Sequence, residues 1–307
     1  VKSWLRLLRI SLFPSAAADA AAGLVYASGG FPADARAWWL VPASLGVYHG
    51  ALALNDWNDR EHDERTRPGR PIPSGAVSPR MALASGIALI LSGVACAWLA
   101  APSSALWMGG VAALAVLYDL AGRGAWRGPL LLGLCRAGNL GSGVFWALGA
   151  GTAAVVDPAR AFAPAAAYGL YVFVVSRLGR LEDGEDERAI GARPRALLAT
   201  AGAILLLAPF AAPPGTSPSG LAAACLLAAC GAFGLARAAF VRRAWTRADV
   251  ERAMGLALRR LLVASAGVAL LALRPGAPSG WDGLLVAAAI LLGFPIAHAL
   301  RRAFPPS

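Results

Sequence analysis

Ten long apolar runs limit what this chain can fold into more than any other feature. They lie near residues 10–28, 38–56, 81–101, 104–121, 129–150, 162–178, 196–212, 219–240, 256–273 and 283–300. Each approaches or reaches the roughly 17–25 residues that a helix needs to cross a bilayer. Alternating strand patterns do not recur, which argues against an outer-membrane barrel. Lipid offers no partners to open backbone, so such runs must be helical. The expectation is an all-α integral membrane protein, one membrane domain over residues 1–307. Composition agrees: only 15% of the residues are charged, against about 25% in soluble domains. The first run lacks a small-residue cleavage site and reads as a retained helix.

The net charge of +11 raises the question of nucleic acid, and its distribution answers it. With the N-terminus placed inside, 24 of the 28 Lys and Arg fall on alternate connections, while Arg36, Arg160 and Arg274 alone fall on the other side. Arg136 falls inside a run. This is the bias of a protein inserted in a cytoplasmic membrane. It predicts a multi-pass inner-membrane protein with both termini cytoplasmic, basic through topology and some attraction to anionic lipid, and no nucleic-acid partner. Cys96, Cys135, Cys225 and Cys230 all lie inside runs without metal-type spacing and read as small buried apolar residues.

Carboxylates are concentrated. Ten of the seventeen Asp and Glu sit in two patches, Asp56 to Glu64 and Glu182 to Glu187. Both follow a run on the expected inner side. Asp56, Asp59 and Asp63 are spaced by three and four, so a helical extension of the second run places them on one face. Asp183 and Glu187 repeat the theme. A solvated charged loop is one reading. A cation site is the other, because like charges at that spacing repel. Oxygen ligands without His or Cys suit Mg²⁺, which is commonly held by one or two carboxylates plus substrate phosphates. The interval of four runs between the patches suggests an internal duplication, without a residue-level repeat.

The residues around the patches carry a resemblance. Asn55-Asp56-Trp57-Asn58-Asp59-Arg60-Glu61-His62-Asp63 reads NDxxDxxxD, and Arg67-Pro68-Gly69-Arg70-Pro71-Ile72-Pro73-Ser74-Gly75 follows it with RPIPSG. The pair is similar to the first signature of the UbiA superfamily of intramembrane prenyltransferases. Tyr118-Asp119-Leu120-Ala121-Gly122-Arg123 resembles the family's YDxxxK segment with Arg for Lys, and Arg136-Ala137-Gly138-Asn139 resembles its RxxN. The family's second acidic motif commonly reads DxxDxxxDxxxG. Here Arg180 stands in place of its first Asp, Asp183 keeps its place, Glu187 replaces an Asp, and Gly191 closes the segment. Within the superfamily the sequence is most similar to the EboC-like branch, through the R-x-RPIPSG context, the RAGN segment and Ala18-Asp19 in the first run.

What the resemblance implies is a UbiA-like bundle of nine to ten transmembrane helices, the family fold having nine. It implies an enzyme that transfers an isoprenyl chain from a prenyl diphosphate to an acceptor, aromatic or lipid-like, with two Mg²⁺ bridging the acidic patches and the diphosphate. The metal ligands carried over are Asp56, Asp59, Asp63, Asp183 and Glu187, with Asp56, Asp59 and Asp183 central to catalysis. Asn55 and Tyr118 fall to substrate, and Arg67, Arg70 and Arg123 are candidates to hold phosphate oxygens; topology anchor is the other reading of each Arg. Asp19, an ionisable group inside a run, either meets the acceptor or relays a proton, or makes a polar interhelix contact. Asn139 orients substrate or bonds a neighbouring helix. His62, His49 and His298 read as non-catalytic, and Trp38, Trp39, Trp126 and Trp281 as interface anchors. Two other functions compete: a related enzyme that cyclises or hydrolyses the prenyl diphosphate, and a transporter or lipid-binding protein that inherited the fold. Transporters place ionisable groups near the midplane, whereas these cluster at one face.

Overall fold

A computed structural model describes residues 1–122, 124–154, 157–181, 190–241, 244–273 and 281–304. The described residues form thirteen α-helices and no strand. They are α1 (Lys2–Leu7), α2 (Phe13–Ser28), α3 (Leu40–Asn58), α4 (Arg60–Thr66), α5 (Pro79–Ala100), α6 (Pro102–Ala121) and α7 (Arg127–Gly149). The rest are α8 (Pro158–Gly179), α9 (Arg193–Leu207), α10 (Pro218–Val241), α11 (Arg247–Leu270), α12 (Asp282–Leu291) and α13 (Gly293–Ala303).

Local chemistry explains where they begin and end. Proline opens α5, α6, α8 and α10, where its missing N–H is no loss and its φ is already helical. The side chains of Ser78 and Asp157 cap α5 and α8 by accepting from Met81 N and Ala159 N. Thr246 and Asp249 form a reciprocal capping box on α11. The last apolar run divides into α12 and α13, because Pro295 has no N–H to continue the ladder.

Each of the ten apolar runs becomes a helix or, for the last, a pair. Eight of these segments are long and apolar enough to cross a membrane. The two long helices outside that set, α3 and α7, carry polar side chains into the interior, among them Ser44, His49, Asp56, Arg136 and Asn139. The chain is thus all-helical and multi-pass, as expected.

The helices run up and down. At one end, here the acidic end, Arg9 before α2 reaches Asp56 of α3, Asn58 reaches the Asp119 carbonyl of α6, and Arg180 after α8 reaches the Gly122 carbonyl. At the far end, Ala154 N donates to Ala27 O, Ser217 N to Leu273 O, and Phe31 N to the Asp282 carboxylate. Neighbouring helices approach closely through small residues, as membrane helices do. Where α2 crosses α7, a Cβ at Gly143 would lie 2.2 Å from Leu24 N, and one at Gly23 would lie 1.9 Å from Leu140 O. No other residue fits there.

Candidate functional site

The acidic end is assembled from four stretches of chain. The first acidic motif continues α3 into α4, with the break at Asp59, whose φ and ψ (−86°, 2°) leave the helical region. Asp56 and Asp63 are buried and Asp59 is half-buried. The following loop, 67–78, is anchored at a few buried positions. Ile72 and Val77 pack with Leu7, Ala53 and Ala82 into a small apolar cluster of their own. Gly75 turns the loop at φ 73°, a conformation that favours glycine. That docking presses Arg70 inward, where it is 7% exposed.

Arginines meet the carboxylates. Arg9 Nη2 donates to Asp56 Oδ1 at 2.7 Å. Arg70 Nη1 bonds Asp63 Oδ2 and stands 3.6 Å from Asp56 Oδ1. On the other side, Asn55 Nδ2 donates to Asp119 Oδ1 at 3.0 Å, and Asn58 Nδ2 to Asp119 O at 2.9 Å. Two carboxylate oxygens, Asp56 Oδ2 and Asp119 Oδ2, are buried without a hydrogen-bond partner. A buried anionic oxygen left alone is costly, so this pair fits a cation. Among the described residues no three His, Cys, Asp or Glu converge tightly enough to hold a metal by themselves.

The expected site residues divide. Asn55, Asp56, Asp59, Asp63 and Arg70 come together. Tyr118 is half-buried beside them, its ring against Gly122 and within reach of Gly128. Arg67 is exposed on the outer side of the loop. Arg123, Asp183 and Glu187 lie outside the described residues, so the juxtaposition of the two acidic patches is not among the observed geometry. Arg180 is described: its Nη2 donates to Gly122 O at 3.0 Å, and a Cβ at Gly128 would come within 2.6 Å of that nitrogen. Glycine at 128 is what lets the guanidinium sit there.

Two participants lie beyond the residues that the sequence singles out. Arg9, one of the inner-side charges, holds φ 46° at the junction of α1 and α2, which no sequence signal announces. Asp119 belongs to the YDxxxK-like segment, in which the resemblance points to Tyr118.

Asp19 and Asn139 lie elsewhere, in the bundle interior. Asp19 is fully buried. It accepts from Tyr168 Oη at 2.6 Å, Ser265 Oγ at 3.1 Å and Asn139 Nδ2 at 3.3 Å, and pairs with Arg136 Nε at 3.2 Å. Arg136 also donates to Tyr168 Oη at 3.0 Å and lies over the Tyr48 ring. Asn139 reaches Ala16 O at 3.4 Å. The network ties α2, α7, α8 and α11 together, which is the interhelix alternative for both residues.

Two apolar grooves flank the bundle. One, of about 800 Å³, lies between α6, α7 and α8 and includes Trp107, Leu134, Phe162 and Phe173. The other, of about 620 Å³, lies between α2, α3, α12 and α13.

Comparison with known proteins gives a consistent picture. The profile of the UbiA prenyltransferase family matches residues 16–263. A digeranylgeranylglyceryl phosphate synthase of Halobacterium salinarum is 36% identical over 162 residues, 51% of this chain and 52% of the relative. A protoheme IX farnesyltransferase of Acidiphilium cryptum is 38% identical over 100 residues, 32% of this chain and 31% of the relative. A Methanothrix thermoacetophila digeranylgeranylglyceryl phosphate synthase is 51% identical over 51 residues, 17% of this chain and 19% of the relative. The chain thus aligns with between a fifth and about half of the length of these curated relatives. In fold the likeness is nearly end to end. A UbiA homolog from Archaeoglobus fulgidus, bound to GPP and Mg²⁺, superposes with TM-score 0.62 and 15% identity over 93% of this chain and 99% of that one. The apo UbiA homolog from Aeropyrum pernix superposes with TM-score 0.60 and 21% identity over 85% and 97%.

Proposed function

Since the chain belongs to the UbiA prenyltransferase family, we propose that it transfers an isoprenyl chain from a prenyl diphosphate to an acceptor at the membrane surface. The observation that carries this reading is the pair of buried, unpartnered oxygens on Asp56 and Asp119, set beside the guanidinium groups of Arg9 and Arg70. Carboxylates that want a cation and arginines that want phosphate oxygens occupy one end of one site. A related fold that binds GPP and Mg²⁺ supports it.

In this reading Asp56 and Asp59 would hold Mg²⁺ with an oxygen of Asp119, and Asp63 holds Arg70 in place for the diphosphate. Asp183 and Glu187 would supply a second metal. Mg²⁺, when bound, neutralises the diphosphate so that it can leave. The residues orient it: Asn55 fixes the Asp119 carboxylate, while Arg9 and Arg70 take phosphate oxygens as negative charge develops. The apolar grooves offer the isoprenyl chain lipid-like walls, and burial of the head group keeps water from competing with the acceptor. Both termini and both acidic loops face the cytoplasm, where the diphosphate is supplied.

Arg180, standing where relatives commonly have a metal-binding Asp, keeps a second reading open, in which the fold cyclises or hydrolyses the same donor. One experiment separates them. Purified protein in nanodiscs is given labelled prenyl diphosphates, Mg²⁺ and a panel of aromatic and glycerol-type acceptors. Transfer is expected to need Mg²⁺ and an acceptor. Prenyl alcohol or a cyclised product without acceptor would favour the second reading. Donor binding indifferent to Mg²⁺, with no diphosphate released under any condition, would defeat both.

A further inference from the structure

Away from the acidic residues, a second cleft opens between α10 and α11. It has a volume of about 440 Å³ and presents Arg237, Arg252 and Arg259 above a floor of Ala238, Val241 and Leu256. Asp249 answers one of these charges, pairing with Arg252 at 2.7 Å. Arg260 and Arg301 stand near enough to Arg259 to repel its charge.

The placement is unusual. Arg259 lies twelve residues into α11, about 18 Å along its axis. Arg259 is exposed where the polar start of α11 gives way to its apolar run. Backbone has been cleared for its neighbour: a Cβ at Gly234 of α10 would lie 2.5 Å from Arg260 Nη2. Arg260 Nε is buried with no hydrogen-bond partner. Val241 of the lining is exposed, as is its chain neighbour Phe240, side chains that suit acyl chains rather than water. The cleft lies toward the acidic end, since Arg195 at the start of α9 donates to Ala239 O at 3.4 Å.

We propose that this cleft binds the head group of an anionic glycerophospholipid. The phosphate meets Arg237 and Arg259, and the acyl chains lie along α10 past Val241 and Phe240. Charge complementarity selects an anionic head, since three guanidinium groups line the cleft and none of the described residues lining it is acidic. The apolar floor and rim select a lipid over a free phosphate. General attraction of a basic face to an anionic leaflet does not require a cavity; the concave shape between two helices is what makes this a site.

The test uses the full chain, delipidated in neutral detergent, with native mass spectrometry of bound lipid and thermal melting as readouts. Phosphatidylglycerol should bind and raise the melting temperature, and phosphatidylcholine should do so far less. Arg237→Gln/Arg259→Gln should weaken phosphatidylglycerol binding on the order of 30-fold, from about one surface-charge interaction per arginine. Arg237→Lys/Arg259→Lys keeps the charge and should keep most of the binding. Arg36→Gln, at the far end, should change nothing. The proposal fails if the Gln pair binds phosphatidylglycerol like wild type, if phosphatidylcholine binds equally well, or if the Lys pair loses as much as the Gln pair. It fails too if inorganic phosphate displaces the lipid at equal concentration, which would mark a site for free anions.

Discussion

Asp56 and Asp19 are both buried aspartates facing arginine, yet their surroundings give them different work. Asp56 keeps one oxygen without a partner, while Asp19 has every neighbour it needs. Asp56→Asn keeps the shape and removes the charge. Labelled-donor turnover should fall on the order of 10²–10³. Stability should fall by about 1–3 kcal/mol, because Arg9 loses its carboxylate while Arg70 keeps Asp63. Turnover within a few-fold of wild type would remove Asp56 from the proposed metal site. For Asp19→Asn the order is reversed. It strands Arg136 in the bundle interior, and thermal or denaturant unfolding in detergent should show a loss of about 3–5 kcal/mol. The double change Asp19→Leu/Arg136→Leu should regain much of that loss, since an apolar pair needs no counter-charge. If the double variant were less stable than Asp19→Asn, the ion pair would be worth more than its burial costs.

At the scale of elements, glycine positions decide how close the helices come. Gly143 of α7 faces the α2 backbone at a separation that excludes any Cβ, whereas a Cβ at Gly110 of α6 meets nothing within 4 Å. The same substitution should therefore have opposite results. Gly143→Ala should destabilise by about 1–3 kcal/mol or more through overpacking. Gly110→Ala should be neutral or stabilising by up to about 1 kcal/mol, because alanine favours the helix. Melting curves of the two variants side by side check this; equal shifts would mean that the α2–α7 crossing yields more easily than its geometry suggests. The 67–78 loop is the other informative element. Most of it is exposed, yet Ile72 and Val77 anchor it against Leu7 of α1 and carry Arg70 to Asp63.

The whole molecule has one charged, carboxylate-bearing end and one end with few charges. The 24-to-3 division of basic residues predicts that the charged end is cytoplasmic. Single cysteines at positions 62 and 36, in a background lacking the four native ones, test it in intact cells. An impermeant thiol reagent should label position 36 and spare position 62. Labelling at 62 from outside would invert the protein and place the proposed site away from the cytosolic supply of donor.

Helical class, the multi-pass character and the first acidic motif could be read from sequence because each rests on local chemistry. An apolar run of 17 or more residues has no stable option in lipid except helix; the three carboxylates spaced by three and four sit close in sequence, although the helix breaks at Asp59 and divides them between α3 and α4. Partners in space are another matter. Nothing near Arg9 announces that it turns back, at φ 46°, to meet a residue 47 positions later. Nor does the Asp19 position announce whether its neighbours are substrate or Arg136, Tyr168 and Ser265, which come from three other helices. Those pairings depend on how closely the helices cross and at what rotation, and only the packed bundle decides that.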